Sequence, residues 1–381
     1  MRVLIVPDKF KGSLTARQAA EAIADGVRRV LPDASLDLCP LADGGEGTVD
    51  ALVAATNGTK LIGRVVGPLP EMRVDAEFGM LGDGKTAVIE MSAAAGLALL
   101  GPQDRNPLYT TTFGVGQLLL AAVKHGAKRI VLGIGGSATT DAGIGCAQAA
   151  GLTVLLEGGE PVSMSEPLCG QDMDRVVLVK RGRGSPIDHV HIIVACDVTN
   201  PLFGPSGAAR VFGPQKGAAS HEVEELDRSL EALAVRLGKL DVAQHPGAGA
   251  AGGLGFGMMA YFGARLRSGI ELVMEAAHLR DRLNGVDVCI TGEGKLDAQS
   301  LSGKTPIGVA RVCKAAGVPC IALAGRVGDG IEAAAKNEGL VRSLEISEAS
   351  IPLEQSMREA GPLLAAAAER AMRDEVWRRE S

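Results

Sequence analysis

Asp8, Lys9, Lys11 and Ser13 crowd one short stretch of this 381-residue chain, Asp43, Gly44, Gly45 and Glu46 a second, and Glu293, Asp297, Gln299 and Lys304 a third. Carboxylates mixed with lysines in this way suit phosphoryl transfer, because magnesium takes carboxylate and water oxygens while lysine offsets the charge of the transferring group. Taken singly, Glu46 or Asp297 reads as well as a solvated charge or a helix cap; phosphoryl transfer needs the stretches brought together. A fourth set adds Asp197, Asn200, Arg210 and Lys216. Asp197 could orient a substrate hydroxyl or accept its proton, Asn200 could help hold a metal, and Arg210 and Lys216 could anchor a carboxylate or a phosphate. Their plainer roles would be a turn before Pro201 and two surface cations.

Three glycine patterns compete for phosphate. Residues 79–86 satisfy the GxxxxGK[ST] string with Lys85 and Thr86, but 87–91 continue as a strand and Gly82-Asp83-Gly84 reads as a hairpin turn, so a P-loop is not expected. Gly133-Ile134-Gly135-Gly136-Ser137-Ala138 follows a strand, matches GxGxxA and is trailed by Glu157, which would suit a nicotinamide-dependent hydroxy-acid dehydrogenase. The hydroxyl-rich continuation Ser137, Thr139, Thr140 and Asp141 suits phosphate oxygens and a magnesium shell better. The third pattern, 246–257, holds six glycines with Leu254 and Phe256, and implies a backbone approaching a ligand or another backbone closely.

The elements that must position these residues alternate strand and helix. Strands are expected at 2–6 and 36–39 with helices at 15–31 and 47–55, and the pattern resumes with strands at 286–290, 318–323 and 341–346 and helices at 304–315, 330–338 and 353–378. Between them come three alternating segments, 60–66, 73–80 and 86–91, then strands at 129–132 and 191–196 and helices from 141 and over 222–237. The fold class expected is α/β: a doubly wound parallel, flavodoxin/Rossmann-like domain from 1–58 plus 285–381, interrupted by a large inserted α/β domain over 59–284. Ligands of open parallel sheets bind outside the carboxyl ends of the strands, where the first three stretches fall, and the cleft between the domains is where both substrates are expected.

Composition narrows the partners. Hydrophobic residues make up 46% of the chain and charged ones 22%, a globular balance. Aromatics at 3% and a net charge of -6 argue against nucleic acid, which needs stacking platforms and a basic face. The seven cysteines are dispersed and never form CxxC, so they are expected to be reduced, buried, small hydrophobes without a zinc site. No apolar run approaches the roughly 18 to 20 residues of a membrane span, and Asp8 interrupts the amino terminus before any signal-like stretch, so no membrane partner and a cytoplasmic location are expected. A homodimer is the candidate assembly.

At these residues the chain resembles the type-1 glycerate kinases. The resemblance rests on Pro7-Asp8-Lys9-Phe10-Lys11-Gly12-Ser13-Leu14, the acidic glycine turn 42–48, the loop 133–141, Ala195-Cys196-Asp197-Val198-Thr199-Asn200-Pro201-Leu202, the segments 211–218 and 246–257, and Thr291-Gly292-Glu293-Gly294-Lys295-Leu296-Asp297 running on to Ser300 and Lys304. These span nearly the whole chain in family order. What the resemblance implies is a two-domain α/β kinase that transfers the ATP γ-phosphate to D-glycerate with Mg2+, usually giving the 2-phosphate, in glyoxylate, glycerate or sugar-diacid breakdown. Lys9 stands where serine is frequent and Ala142 where glycine is frequent, departures that concern loop geometry. The roles expected are catalysis by Asp197, Lys11, Asp8 and Glu293, and ATP binding by Gly135, Gly136, Ser137, Thr139, Lys216 and Lys304. Ser13, Asp43, Gly44, Arg210, Asp297 and Gln299 would bind glycerate, and Asp141 and Asn200 the metal.

Overall fold

Val3, Leu4, Ile5 and Val6 are all fully buried, the near-continuous apolar run that a strand covered on both faces requires, and the strand Arg2–Pro7 has a parallel neighbour on each side. The structure, a computed structural model, describes residues 1–41, 47–182, 184–298, 300–302, 304–347 and 351–380. It divides into two compact units, residues 1–43 with 270–381, and residues 44–269.

In the first unit the strands lie in the order Leu340–Glu345, Cys320–Val327, Val288–Leu296, Arg2–Pro7 and Ser35–Leu38, every pairing parallel. From Arg2–Pro7 the chain moves outward to Ser35–Leu38, whereas the later strands build outward on the other side. The winding therefore reverses between Arg2–Pro7 and Val288–Leu296, and a crevice at the carboxyl ends of such a pair is where open parallel sheets bind ligands. Helix Ala16–Val30 starts at a Thr15–Gln18 capping box and lays Ala19, Ile23 and Val27 into a core with Val3, Ile5 and Ile290. Helix Ala360–Glu380 joins that core through Leu364 and Ala368, so closely that a Cβ on Gly26 would lie 2.1 Å from the Ala365 carbonyl oxygen. The single helix expected over 353–378 is two, Leu353–Arg358 and Ala360–Glu380. Pro362 is the reason: it has no N–H to continue a preceding helix but is accepted in the first turn of a new one.

The second unit holds a six-stranded sheet in the order Arg265–Arg267, His191–Ala195, Arg129–Gly133, Thr86–Glu90, Arg73–Met80 and Thr59–Val66. The first four are mutually parallel, and the last three form the antiparallel meander read from the alternating segments. The string at 79–86 is a hairpin turn and not a phosphate loop: Asp83 accepts hydrogen bonds from Lys85 N, Thr86 N and Thr86 Oγ1 at 2.8, 2.8 and 2.6 Å, and a strand follows.

The units part at 43/44 and 269/270, where the sequence reading had placed the boundaries at 58/59 and 284/285. Packing accounts for the difference at the first boundary. Helix Thr48–Thr56 lies so close to the Arg73–Met80 strand that a Cβ on Gly79 would meet Val53 Cγ2 at 2.5 Å, and Val49 N donates to Glu90 Oε1 at 2.9 Å. At the second boundary, Arg282 joins the first unit through a 2.6 Å ion pair with Asp37. Among the described residues no helix is long and apolar enough to cross a membrane.

Candidate active site

Two buried carboxylates stand at the winding reversal of the first unit. Asp8 follows Pro7 directly and Glu293 lies one residue beyond Gly292, the register partner of Pro7. Asp8 is 6% exposed; its carboxylate accepts from Lys9 N at 2.6 Å and from Thr305 Oγ1 at 2.5 Å. Glu293 is 8% exposed and accepts from Ser300 Oγ at 2.6 Å. Burial pushes the Glu293 carboxyl up to about 7, opposed by the Ser300 hydrogen bond and the Lys304 charge and assisted by the negative charges of Asp8 and Asp297. Two acids held together out of water form an electrostatic arrangement that a divalent cation would relieve, so the residues suit magnesium. Lys304 is the N-cap of helix Thr305–Ala316, Asp297 pairs with Lys295 at 3.1 Å, and Ser13 donates to the Phe10 carbonyl at 3.0 Å. Lys11 is exposed.

The second unit brings its candidates to one sheet edge by register. Glu90 pairs with Gly133, Gly133 with Ala195, and Ala195 with Arg267, so four parallel strands end level. The residues that follow, Ser92, Ile134 to Ser137, Asp197 and Ser268, therefore share that edge. Asp197 is exposed, and its Oδ1 accepts from Ser268 Oγ and Gly269 N, both at 3.0 Å, which aims the carboxylate without burying it. Gly135 and Gly136 are the exposed residues in a loop whose neighbours Ile134 and Ser137 to Thr140 are buried. Gly136 has φ +72°, and the loop is tied down by Leu97 N to Gly136 O at 2.8 Å and Ala138 N to Ala95 O at 2.9 Å. A rigid loop with open glycine backbone at its tip suits a phosphate chain.

The six-glycine segment explains how that loop is held. Ala251, Gly252 and Gly253 have positive φ inside helix Ala250–Phe262, and a Cβ on Gly252 would sit 1.9 Å from the Thr139 carbonyl oxygen. Ala142 N donates to Gly252 O at 3.1 Å. The close approach expected of this segment is thus to another backbone, the 139–142 loop. Lys216 is 1% exposed and donates from Nζ to Thr139 O at 2.7 Å; burial lowers its ammonium to about 7 against the pull of Asp141.

Asp141 is fully buried, and burial raises its carboxyl pKa although donors surround it. Oδ2 accepts from Thr112 N at 2.8 Å and Thr112 Oγ1 at 2.7 Å, and Oδ1 from Gly143 N at 3.0 Å. Protein donors thus take up the oxygens that the sequence reading offered to a metal. Asp141→Asn is expected to cost about 2–3 kcal/mol, since charge-assisted hydrogen bonds are lost in a buried place. The half-saturating magnesium concentration should stay within twofold; a large rise in it, measured beside the denaturant midpoint, would restore Asp141 as a ligand.

A model of the glycerate kinase family matches residues 3–375, and a glycerate kinase of Halalkalibacterium halodurans is 46% identical over 371 residues, 96% of either chain. The chain belongs to the glycerate kinase family. The glycerate 2-kinase of Escherichia coli K12 is 46% identical over 336 residues, 87% of each chain. A crystal structure provisionally described as glycerate kinase 2 of Salmonella typhimurium LT2 is 40% identical and covers 100% of both chains with a TM-score of 0.88.

Membership of the glycerate kinase family removes the dehydrogenase alternative for 133–138, and the local geometry agrees. The helix expected from Asp141 starts only at Ile144, because Ala142 and Gly143 have φ of +50° and +73°, outside the helical region. Ala142 thus occupies a conformation that favours glycine. Arg210 is engaged by Asp227 at 2.9 Å, which also accepts from Gly204 N at 2.9 Å, and Asn200 Nδ2 donates to Ser206 O at 2.7 Å. Asn200 thus braces the 200–206 turn, and Asp227 ties that turn to Arg210 on helix Ala208–Phe212. Asp43, Gly44 and Gln299 lie outside the described residues. Sequence reasoning named Ser300 only within a motif and did not single out Thr305, Thr112 or Asp227. Thr305 had a signal, a hydroxyl before Pro306 at a helix start; Thr112 and Asp227 had none, since their partners are distant in the chain.

Proposed function

We propose that this glycerate kinase phosphorylates D-glycerate with the γ-phosphate of ATP and Mg2+, that the product is the 2-phosphate, and that it serves glyoxylate, glycerate or sugar-diacid breakdown. The observation that carries the reading is the level strand edge of the second unit, where an aimed, solvent-accessible Asp197 shares an edge with the open Gly135-Gly136 tip. The 46% identity to a relative named glycerate 2-kinase supports the choice of hydroxyl. On this reading the 44–269 unit is an insertion into the doubly wound one.

Gly135, Gly136 and Ser137 would meet the nucleotide phosphates through backbone N–H and hydroxyl donors. Thr139 and Lys216 would act from within, the lysine holding the loop through the Thr139 carbonyl. Asp197 would accept the proton of the attacking glycerate hydroxyl. Asp8 and Glu293 would hold magnesium, which when bound draws charge from the phosphate oxygens. Lys11, Ser13, Lys304, Asp297 and Arg210, with Asp43, Gly44 and Gln299, would contribute charge and hydrogen bonds to the acid and the phosphates. A homodimer and a cytoplasmic location complete the proposal.

ADP release coupled to a reporter enzyme, run with ATP, magnesium and a panel of D-glycerate, L-glycerate and related hydroxy acids, tests it. Release confined to D-glycerate with the 2-phosphate in the phosphorus NMR spectrum is expected. Equal turnover of L-glycerate, or the 3-phosphate as sole product, would overturn the corresponding part.

A further inference from the structure

Away from both candidate clusters, three cysteines far apart in sequence meet in the core of the first unit. Cys289 on strand Val288–Leu296, Cys320 on strand Cys320–Val327 and Cys313 on helix Thr305–Ala316 are each fully buried, and their sulfurs all lie within 4.8 Å of one another. Cys289 and Cys320 are register partners on adjacent parallel strands, so their side chains project from the same sheet face, and the helix brings Cys313 to them. Singly, each is the small apolar filler that its dispersal in sequence suggests. Together they are three soft donors converging on one point, and among the described residues no other set of histidine, cysteine and acidic side chains is so grouped.

We propose that Cys289, Cys313 and Cys320 form a binding site for a trivalent, thiophilic metalloid of the arsenite class, held by all three sulfurs. A pyramidal three-coordinate centre with bonds to sulfur of about 2.3 Å and angles of about 100° sets the sulfurs about 3.5 Å apart, so closing the site needs a shift on the order of an ångström. Burial selects the ligand. A divalent cation on three thiolates would leave a net negative charge in an apolar core without a fourth ligand to share it, which is costly. Exchange of the three hydroxyls of arsenous acid for three thiols forms three As–S bonds and releases three waters. It changes no oxidation state and leaves a neutral adduct. Hydrogen bonds from Cys289 and Cys320 lower the Cys313 thiol below the ordinary cysteine range, which makes Cys313 the sulfur that attacks first.

Occupancy would reach the acid pair through the backbone. Glu293 lies on the same strand as Cys289, and Thr305, which donates to Asp8, lies roughly two turns before Cys313 on its helix. Drawing the sulfurs together pulls on the strand and helix that hold Glu293 and Asp8, so turnover should fall in step with occupancy.

The test uses the full-length reduced protein incubated overnight with sodium arsenite below its unfolding temperature. Intact mass spectrometry should show one arsenic in place of three hydrogens, and thiol titration after denaturation should find the 7 free cysteines reduced by three. Cys313→Ala and, separately, Cys320→Ala should lose the adduct, whereas Cys146→Ala, a buried cysteine of the other unit, should keep it. No adduct on the wild type, an adduct that survives in a folded Cys313→Ala or Cys320→Ala variant, or cadmium bound in preference to arsenite would each overturn the proposal.

Discussion

Asp197→Asn should lower kcat by about two to four orders of magnitude, the usual contribution of a positioned general base, with little change in the thermal midpoint. The geometry separates the two effects. Asp197 is exposed, so its replacement opens no cavity, and asparagine keeps an oxygen able to accept from Ser268 Oγ and Gly269 N as Oδ1 now does. What the amide cannot do is take a proton from a glycerate hydroxyl. Ser268→Ala gives a graded control, because it removes one donor that aims the carboxylate and should cost far less than the loss of the carboxylate itself. Should Asp197→Asn turn over near the wild-type rate at saturating substrates, the base lies elsewhere; a rise in KM for glycerate alone would make Asp197 a binding residue.

The second large effect belongs to Glu293. With its folded-state carboxyl near 7 and the ordinary value at 4.5, the folded protein holds a proton that the unfolded chain releases across that interval. Its contribution to stability is therefore fully present below about 4.5 and is lost as pH rises through about 7. At 1.36 kcal/mol per unit the swing is on the order of 3 kcal/mol. Glu293→Gln stays neutral throughout, so in the absence of magnesium its unfolding free energy should lack this fall between pH 5 and 8. The hydrogen bond from Ser300 survives, since the amide oxygen still accepts. In turnover the expected result is a rise of kcat/KM through the same region for the wild type, moved to lower pH by saturating magnesium, which favours the ionised pair. An unchanged pH slope of stability in Glu293→Gln would mean that another group carries it, and an unchanged magnesium requirement would take Glu293 out of the metal site.

Much of the fold was legible along the chain. The apolar run at Val3 to Val6, the Thr15–Gln18 cap and the hairpin chemistry of Asp83 are local signals, each decided by side chains within a few residues of the backbone they act on. Two features needed the packed chain. Boundaries moved where packing overrode local pattern, as with helix Thr48–Thr56 against Gly79. Surroundings set by distant residues are the other: Asp141 has the composition of a metal ligand, and its carboxylate accepts from Thr112, 29 residues away.

Residue types and spacing were enough to expect acids and lysines at the carboxyl ends of parallel strands, where Asp8 and Glu293 stand, and to suggest the family, because those properties follow from local pattern and strand order. Which of the acids are poised depended on the tertiary structure. Glu293 is pushed up by burial beside Asp8, and Asp197 is left exposed and aimed by Ser268. Desolvation and hydrogen-bond partnership are properties of a place in space, and the partners Thr305 and Ser268 stand 297 and 71 residues from the carboxylates they serve.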